Sequence, residues 1–290
     1  MSLMRTIRFG LGVLIVAGLG WQLARQDPSA LDALRAPSAT ALAVASTLAI
    51  TSYFAFVRAW SSLRGRGESW RDVGGNWFAS LFARYAPGGP WQGAVRVAGA
   101  HFAGESRRTM VERYLAEQGL ACFSAATIAL ALVLVARVSL DRSIVLALAA
   151  IAAGALGVAT LAPRCGFALQ WTRGAVVATM AGHLVLAAGF AAFVAAWDAG
   201  PALGDIGARM AMFLVAGIAG LLALFVPAGI GVREAVLAGL LAPQVGAAPA
   251  IAIALASRLW LLVCELGAWG VWFVASRRPG SPPRAPGAGR

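Results

Sequence analysis

Long apolar runs alternate with short polar ones along this chain. The runs at 7–24, 39–57, 120–136, 143–162, 174–197, 208–226 and 249–275 are each of the length a helix uses to cross a membrane, which takes about 20 mostly apolar residues for a hydrocarbon core about 30 Å thick. Two further apolar stretches, 73–86 and 229–242, are too short, and each adjoins a cluster of Pro and Gly. That combination predicts broken or re-entrant helices, whose freed backbone groups must face protein or a watery cavity. Counting 229–242 as a short span gives about eight crossings with both termini on one side, and the arginines then gather on the cytoplasmic face. The loop between Trp197 and Arg209 carries Asp198 and Asp205 but no Arg, which suits the outer face. If 229–242 only dips in and returns, Arg277 and Arg278 fall outside, against the same rule.

The predicted fold is therefore all-α: a polytopic membrane helix bundle, with residues 1–276 as a single membrane-embedded domain. The run from residue 7 reads as an uncleaved first span, since it is long and lacks a small-residue cleavage site. Residues 277–290, RRPGSPPRAPGAGR, read as a disordered tail rich in Arg, Pro and Gly.

Composition agrees with this picture and removes several chemistries. Hydrophobic residues make up 60% of the chain and charged residues 12%. All 24 basic residues are Arg, so a P-loop Lys and a Schiff-base Lys are both excluded. The inflation of Ala, Gly and Arg together reads as the mark of a GC-rich genome. Cys122, Cys165 and Cys264 lie far apart, with neither metal-ligand spacing nor a disulfide framework, and read as small core residues. His101 and His183 stand alone, so no zinc or di-iron ligand set exists and no cofactor is expected. His183 reads as a satisfied polar residue inside the bundle.

The segment from Trp91 to Gly119 mixes Arg107, Arg108, Glu112, Arg113 and Glu117 with Met110, Val111, Tyr114 and Leu115, the pattern of an amphipathic interfacial helix. Arg113 and Glu117 are spaced for an i,i+4 pair. The segment can serve either to dock anionic head groups or as a solvated connector carrying ordinary positive-inside charge.

The strongest chemical signal is FVPAGIGVREAVLAGLL, where Arg233 and Glu234 follow Pro227, Gly229 and Gly231 inside apolar sequence. Each charge at membrane depth costs about 2.5–3.5 kcal/mol even on a lenient scale, so a retained pair is a functional candidate. A helix starting near Gly231 presents free N–H groups and a positive dipole end, and Arg233 adds a donor fork matched to phosphate. Arg258 and Glu265 interrupt the last span seven residues apart, on one face but too far apart to pair with each other. The economical pairing is Glu234 with Arg258 and Arg233 with Glu265. Such a network either binds an anion or only fixes helix packing.

An echo of this motif lies earlier. YAPGG at Tyr85–Gly89 parallels FVPAG at Phe225–Gly229, 140 positions on, with Pro87 and Gly88 followed by Arg96 as Pro227 and Gly229 are followed by Arg233. Matching helix breaks in two halves, here 1–140 and 141–276, mark transporter folds whose site lies between the halves.

The run PAGIGVREA at Pro227–Ala235, followed by a span containing Arg258, resembles the lysylphosphatidylglycerol synthase transmembrane-region family, also called flippase-like domain proteins. YAPGG with Arg96 resembles that family's first-half motif. Ala228 stands where a Gly is common, Gly89 and Pro90 stand where a basic residue often follows, and the aminoacyl-transferase domain of the full synthases is absent. The resemblance implies a protein of the bacterial inner membrane, and the eight-crossing count with its arginines inside puts both termini in the cytoplasm. It would bind and translocate an anionic lipid or a polyprenyl-phosphate-linked amphiphile, with Arg233, Glu234 and Arg258 at the site. The alternatives are a non-catalytic partner of lipid or glycan biosynthesis enzymes, or a membrane-embedded transferase with Glu234 or Glu265 as base. The transferase reading lacks an acidic metal cluster and a soluble domain to hold a nucleotide sugar.

Overall fold

The computed structural model describes residues 37–64, 69–86, 91–99, 105–135, 140–167, 170–197, 203–223, 226 and 229–277. The expected first span at 7–24, the motif residues Pro87, Gly88 and Pro227, His101 and the tail beyond Arg277 lie outside the described residues. Among the described residues every regular element is helical: α1 (Ala39–Arg64), α2 (Trp70–Ala83), α3 (Trp91–Ala98), α4 (Arg107–Val135), α5 (Arg142–Leu161), α6 (Arg173–Ala195), α7 (Leu203–Leu222), α8 (Val232–Val245) and α9 (Ala247–Arg277). A 3₁₀ turn, Ala162–Cys165, follows α5. Five of these elements, α1, α4, α5 with its 3₁₀ turn, α6 and α9, are long and apolar enough to cross a membrane, and the apolar part of α7, Ile206–Leu222, is shorter. The chain is thus a multi-pass helical membrane protein.

The two stretches too short to span are short in the structure as well. Helices α2 and α8 have 14 residues each, about 21 Å of helix against about 30 Å of hydrocarbon. Local chemistry sets several starts. The Ser69 side chain accepts from the Asp72 N–H at α2, Asp141 caps α5 by accepting from Ser143, and Thr172 caps α6 by accepting from Ala175. Each cap satisfies a backbone donor that the helix itself leaves free.

Small residues let α1 and α6 run against each other. Ala45, Ala49 and Ser52 on α1 are fully buried. A Cβ at Gly189 of α6 would stand 3.1 Å from the Ala45 carbonyl oxygen and 3.3 Å from the Ala49 nitrogen. In a bilayer, where burial against another helix gains little over burial in lipid, such close backbone approach is what favours helix association. Aromatic pairs tie in the rest: Phe190 on α6 stacks on Phe213 of α7 at 4.6 Å, and Phe193 on Trp260 of α9 at 4.7 Å. Helix α9 lies at the centre, with 56% of its apolar window buried, whereas α5 lies outermost at 6%. His183 meets the Ser124 hydroxyl at 2.6 Å, joining α6 to α4 as a partnered polar residue.

Three expectations are corrected. The charged segment at 107–117 is not a separate interfacial helix; it continues without a break into the span as the first part of α4. Arg113 and Glu117 do not pair. Arg113 instead bonds Glu105 and the Arg64 carbonyl, and Glu117 turns inward to Arg96, a buried cation that needs a carboxylate more than an exposed one does. The i,i+4 pair that forms is Arg108–Glu112, at 2.9 Å. Cys264 is buried as expected, but Cys165 is exposed on the turn after α5 rather than in the core.

The α1–α6 contact yields a paired test. Gly189→Leu is expected to destabilise the protein by about 1–3 kcal/mol, because the clash is with backbone that cannot rotate away. Gly154→Leu on α5, where a Cβ meets nothing within 4 Å, is expected to stay within about 0.5 kcal/mol. Thermal unfolding of the purified protein in detergent compares the two; equal losses would refute the packing argument.

Candidate functional site

The start of α8 is built by two glycines in left-handed conformations, Gly229 at φ 62° and Gly231 at φ 88°. Such angles strain any residue with a Cβ. Gly229 is also needed for space, since a Cβ there would lie 2.4 Å from the Gly220 carbonyl oxygen. The segment thereby rests directly on the end of α7, and Gly220 in turn leaves room for the Cβ of Arg233, 3.0 Å from where its own would stand. Gly231 is the N-cap of α8, and its N–H donates to Glu234 Oε2 at 2.7 Å. The carboxylate thus serves the orphan amide at the positive end of the helix.

Around Glu234 stand two guanidinium groups. Arg233 Nη1 and Arg258 Nη1 each lie 3.6 Å from Glu234 Oε1, within ion-pair reach but too far for a hydrogen bond. Glu234 Oε1 and Arg233 Nη2 are both buried and make no hydrogen bond among the described residues. Arg233 also lies over the ring of Phe213, 5.0 Å from its centroid, and Arg258 over Tyr85 at 5.3 Å.

Seven residues along α9 from Arg258, Glu265 is fully buried and closely partnered. It pairs with Arg84, which follows α2, and accepts from the hydroxyls of Tyr53 on α1 at 3.1 Å and Tyr85 at 2.9 Å. Arg84 also donates to the Tyr85 hydroxyl and lies over that ring at 5.1 Å. One carboxylate therefore ties α1, the end of α2 and α9 together, and Tyr85, with Arg84 and Arg258 against it, bridges this group to the Glu234 group.

Of the predicted site residues, the structure brings together Gly229, Gly231, Arg233, Glu234, Arg258 and Glu265, although the expected pairing is only half right. Glu234 does face Arg258, but Glu265 takes Arg84 rather than Arg233, because α2 delivers its own arginine beside α9. Arg96 stands apart. Its guanidinium pairs with Glu117 at 2.8 Å and lies over Trp60 at 4.4 Å and Trp77 at 5.4 Å, with only 1% of its side chain exposed. Trp77 also donates to Glu117 at 3.1 Å. The two clusters share a wall, since the Trp77 ring lies 6.3 Å from that of Tyr53. Arg96 thus fixes the packing of α1 to α4, whatever the sequence echo with Arg233.

Sequence reading missed Arg84, Tyr85 and Tyr53. The signal was present: Arg84 directly precedes YAPGG, and only three tyrosines occur in the chain, two of which meet at Glu265. Among the described residues no three His, Cys, Asp or Glu gather as metal ligands. Compared with family models and with curated proteins, the chain matches none of them.

Glu265→Ala is expected to cost about 3 kcal/mol, the low end for a broken buried pair because Arg84 keeps some contact with solvent. Glu265→Gln should cost less, since its amide oxygen can still accept from the tyrosines. Thermal unfolding in detergent measures both, and equal losses would mean that the charge itself contributes nothing.

Proposed function

We propose that this protein binds an anionic lipid or polyprenyl-phosphate-linked amphiphile within the bilayer and carries its head group between leaflets. The observation that supports this reading best is the loose hold on Glu234, whose Oε1 lies 3.6 Å from both Arg233 Nη1 and Arg258 Nη1, beyond hydrogen-bond reach. Charged groups buried among membrane helices are costly unless their hydrogen bonds are made. Arg233 Nη2 and Arg84 Nε are buried donors without a hydrogen-bond partner, so capacity for acceptor oxygens remains. A phosphate supplies those oxygens, and guanidinium forks match its geometry. The side chains of Arg84 and Arg258 are 29% and 20% exposed, which leaves this end of the network open to an entering head group.

The resemblance of PAGIGVREA to the flippase-like family supports the same reading, and with it a place in the inner membrane of a bacterium. In the transport cycle, Glu234 holds the arginines apart when the site is empty and shares them with the phosphate when it is filled. The acyl or prenyl tail stays in lipid, and the short helices α2 and α8, which carry Arg84 and Arg233, are the elements that move with the head group.

The test is movement of fluorescent phosphatidylglycerol between leaflets of vesicles holding the purified protein. Arg233→Ala and Arg258→Ala are each expected to slow it about tenfold or more, the worth of a charge-assisted hydrogen bond, in protein that still inserts and still melts cooperatively. Undiminished lipid movement and binding in both variants would make the network structural and the protein a scaffold for other enzymes. Appearance of a chemically new lipid would make it a transferase.

A further inference from the structure

A groove lies away from the central arginines, between the first part of α4 and the end of α5. Its volume is about 620 Å³, within the range of small-molecule sites. Its walls are Val111 and Leu115 on α4, Val158 and Leu161 on α5, and Phe167 beyond the 3₁₀ turn, with Arg108 at the rim. All five apolar side chains are exposed. Helix α5 itself buries a single residue, Leu148, and its principal neighbour is α4. A helix this apolar and this uncovered is covered by the bilayer.

The end of the groove is basic. Arg108 lies over Phe167 at 5.8 Å with 72% of its side chain exposed and Arg107 precedes it in the open, while Arg164, on the 3₁₀ turn, donates back to the Thr160 carbonyl. The acid in the lining, Glu112, is bonded to Arg108 Nε, which leaves the terminal nitrogens of that guanidinium for another anion. An apolar channel that ends in exposed arginines where a membrane helix gives way to a turn has the chemistry of a phospholipid: tail below, phosphate above.

We propose that this groove holds an acyl chain of one anionic phospholipid, with its phosphate on Arg108, and that this lipid secures α5 to α4. The site is independent of the proposed transport site.

Native mass spectrometry of the full chain released from detergent with equimolar phosphatidylglycerol and phosphatidylcholine tests this, together with melting temperature in each lipid. The wild type is expected to hold one more tightly bound phosphatidylglycerol than the central site accounts for, with a higher melting temperature in that lipid. Gly157→Phe, placed where a Cβ meets nothing within 4 Å, should fill the groove and remove both effects without lowering the melting temperature in detergent alone. Arg108→Gln should reduce the phosphatidylglycerol preference by about fivefold. Both effects should persist in Arg233→Ala, whose loss of lipid movement reports the central site alone. Equal retention of the two lipids by the wild type, or a preference unchanged in both groove variants, overturns the proposal. A dimer that Gly157→Phe dissolves would also overturn it, assigning the groove to a second copy.

Discussion

A carboxylate in the middle of the longest helix has to be neutralised where water is scarce, and the way Glu265 is neutralised organises this bundle. Left alone, such a group would protonate or draw in water; here it collects the Arg84 guanidinium and two tyrosine hydroxyls. Because those partners come from α1 and from the end of α2, satisfying one charge fixes three elements in register. Tyr85 then extends the arrangement, since Arg258 lies over its ring and in turn faces Glu234. The binding chemistry proposed above would use the same atoms that hold the helices together.

The glycine segment before α8 works in the opposite sense, by allowing approach rather than by attracting. Gly229 and Gly231 take up left-handed backbone and let the chain rest on Gly220 of α7. That seating directs Arg233 over Phe213 and leaves Glu234 to cap its own helix, so the first turn of α8 carries a cation and an anion held by different constraints. One oxygen of Glu234 is committed to the backbone; the other stands between two arginines without a hydrogen bond. On the proposed reading, an anion entering there would compete for loosely held groups, the property a reversible site requires.

Much of this was legible before any coordinates. The positions of the helices follow from runs of apolar residues, and the breaks at 73–86 and 229–242 follow from length and from Pro and Gly. Arg233, Glu234, Arg258 and Glu265 identify themselves as charges in apolar surroundings. What misled was spacing taken as partnership. Arg113 and Glu117 sit one turn apart on one helix, yet each is drawn to a different neighbour; Arg96 echoes Arg233 in sequence but packs among Trp60, Trp77 and Glu117. Arg84 flanks the YAPGG motif rather than lying inside it, and motif reading alone passes it over.

The sequence by itself determined the solvent of each segment, because the free energy of placing a side chain in hydrocarbon or water depends mostly on that side chain alone. It therefore set which stretches are helices in the membrane, which are too short to cross it and which charges are out of place. Only the tertiary structure decided how those charges pair. Pairing depends on distances between helices, which side-chain packing such as that of Gly189 against α1 and Gly229 against α7 fixes to within an ångström, and no one-dimensional spacing contains those distances.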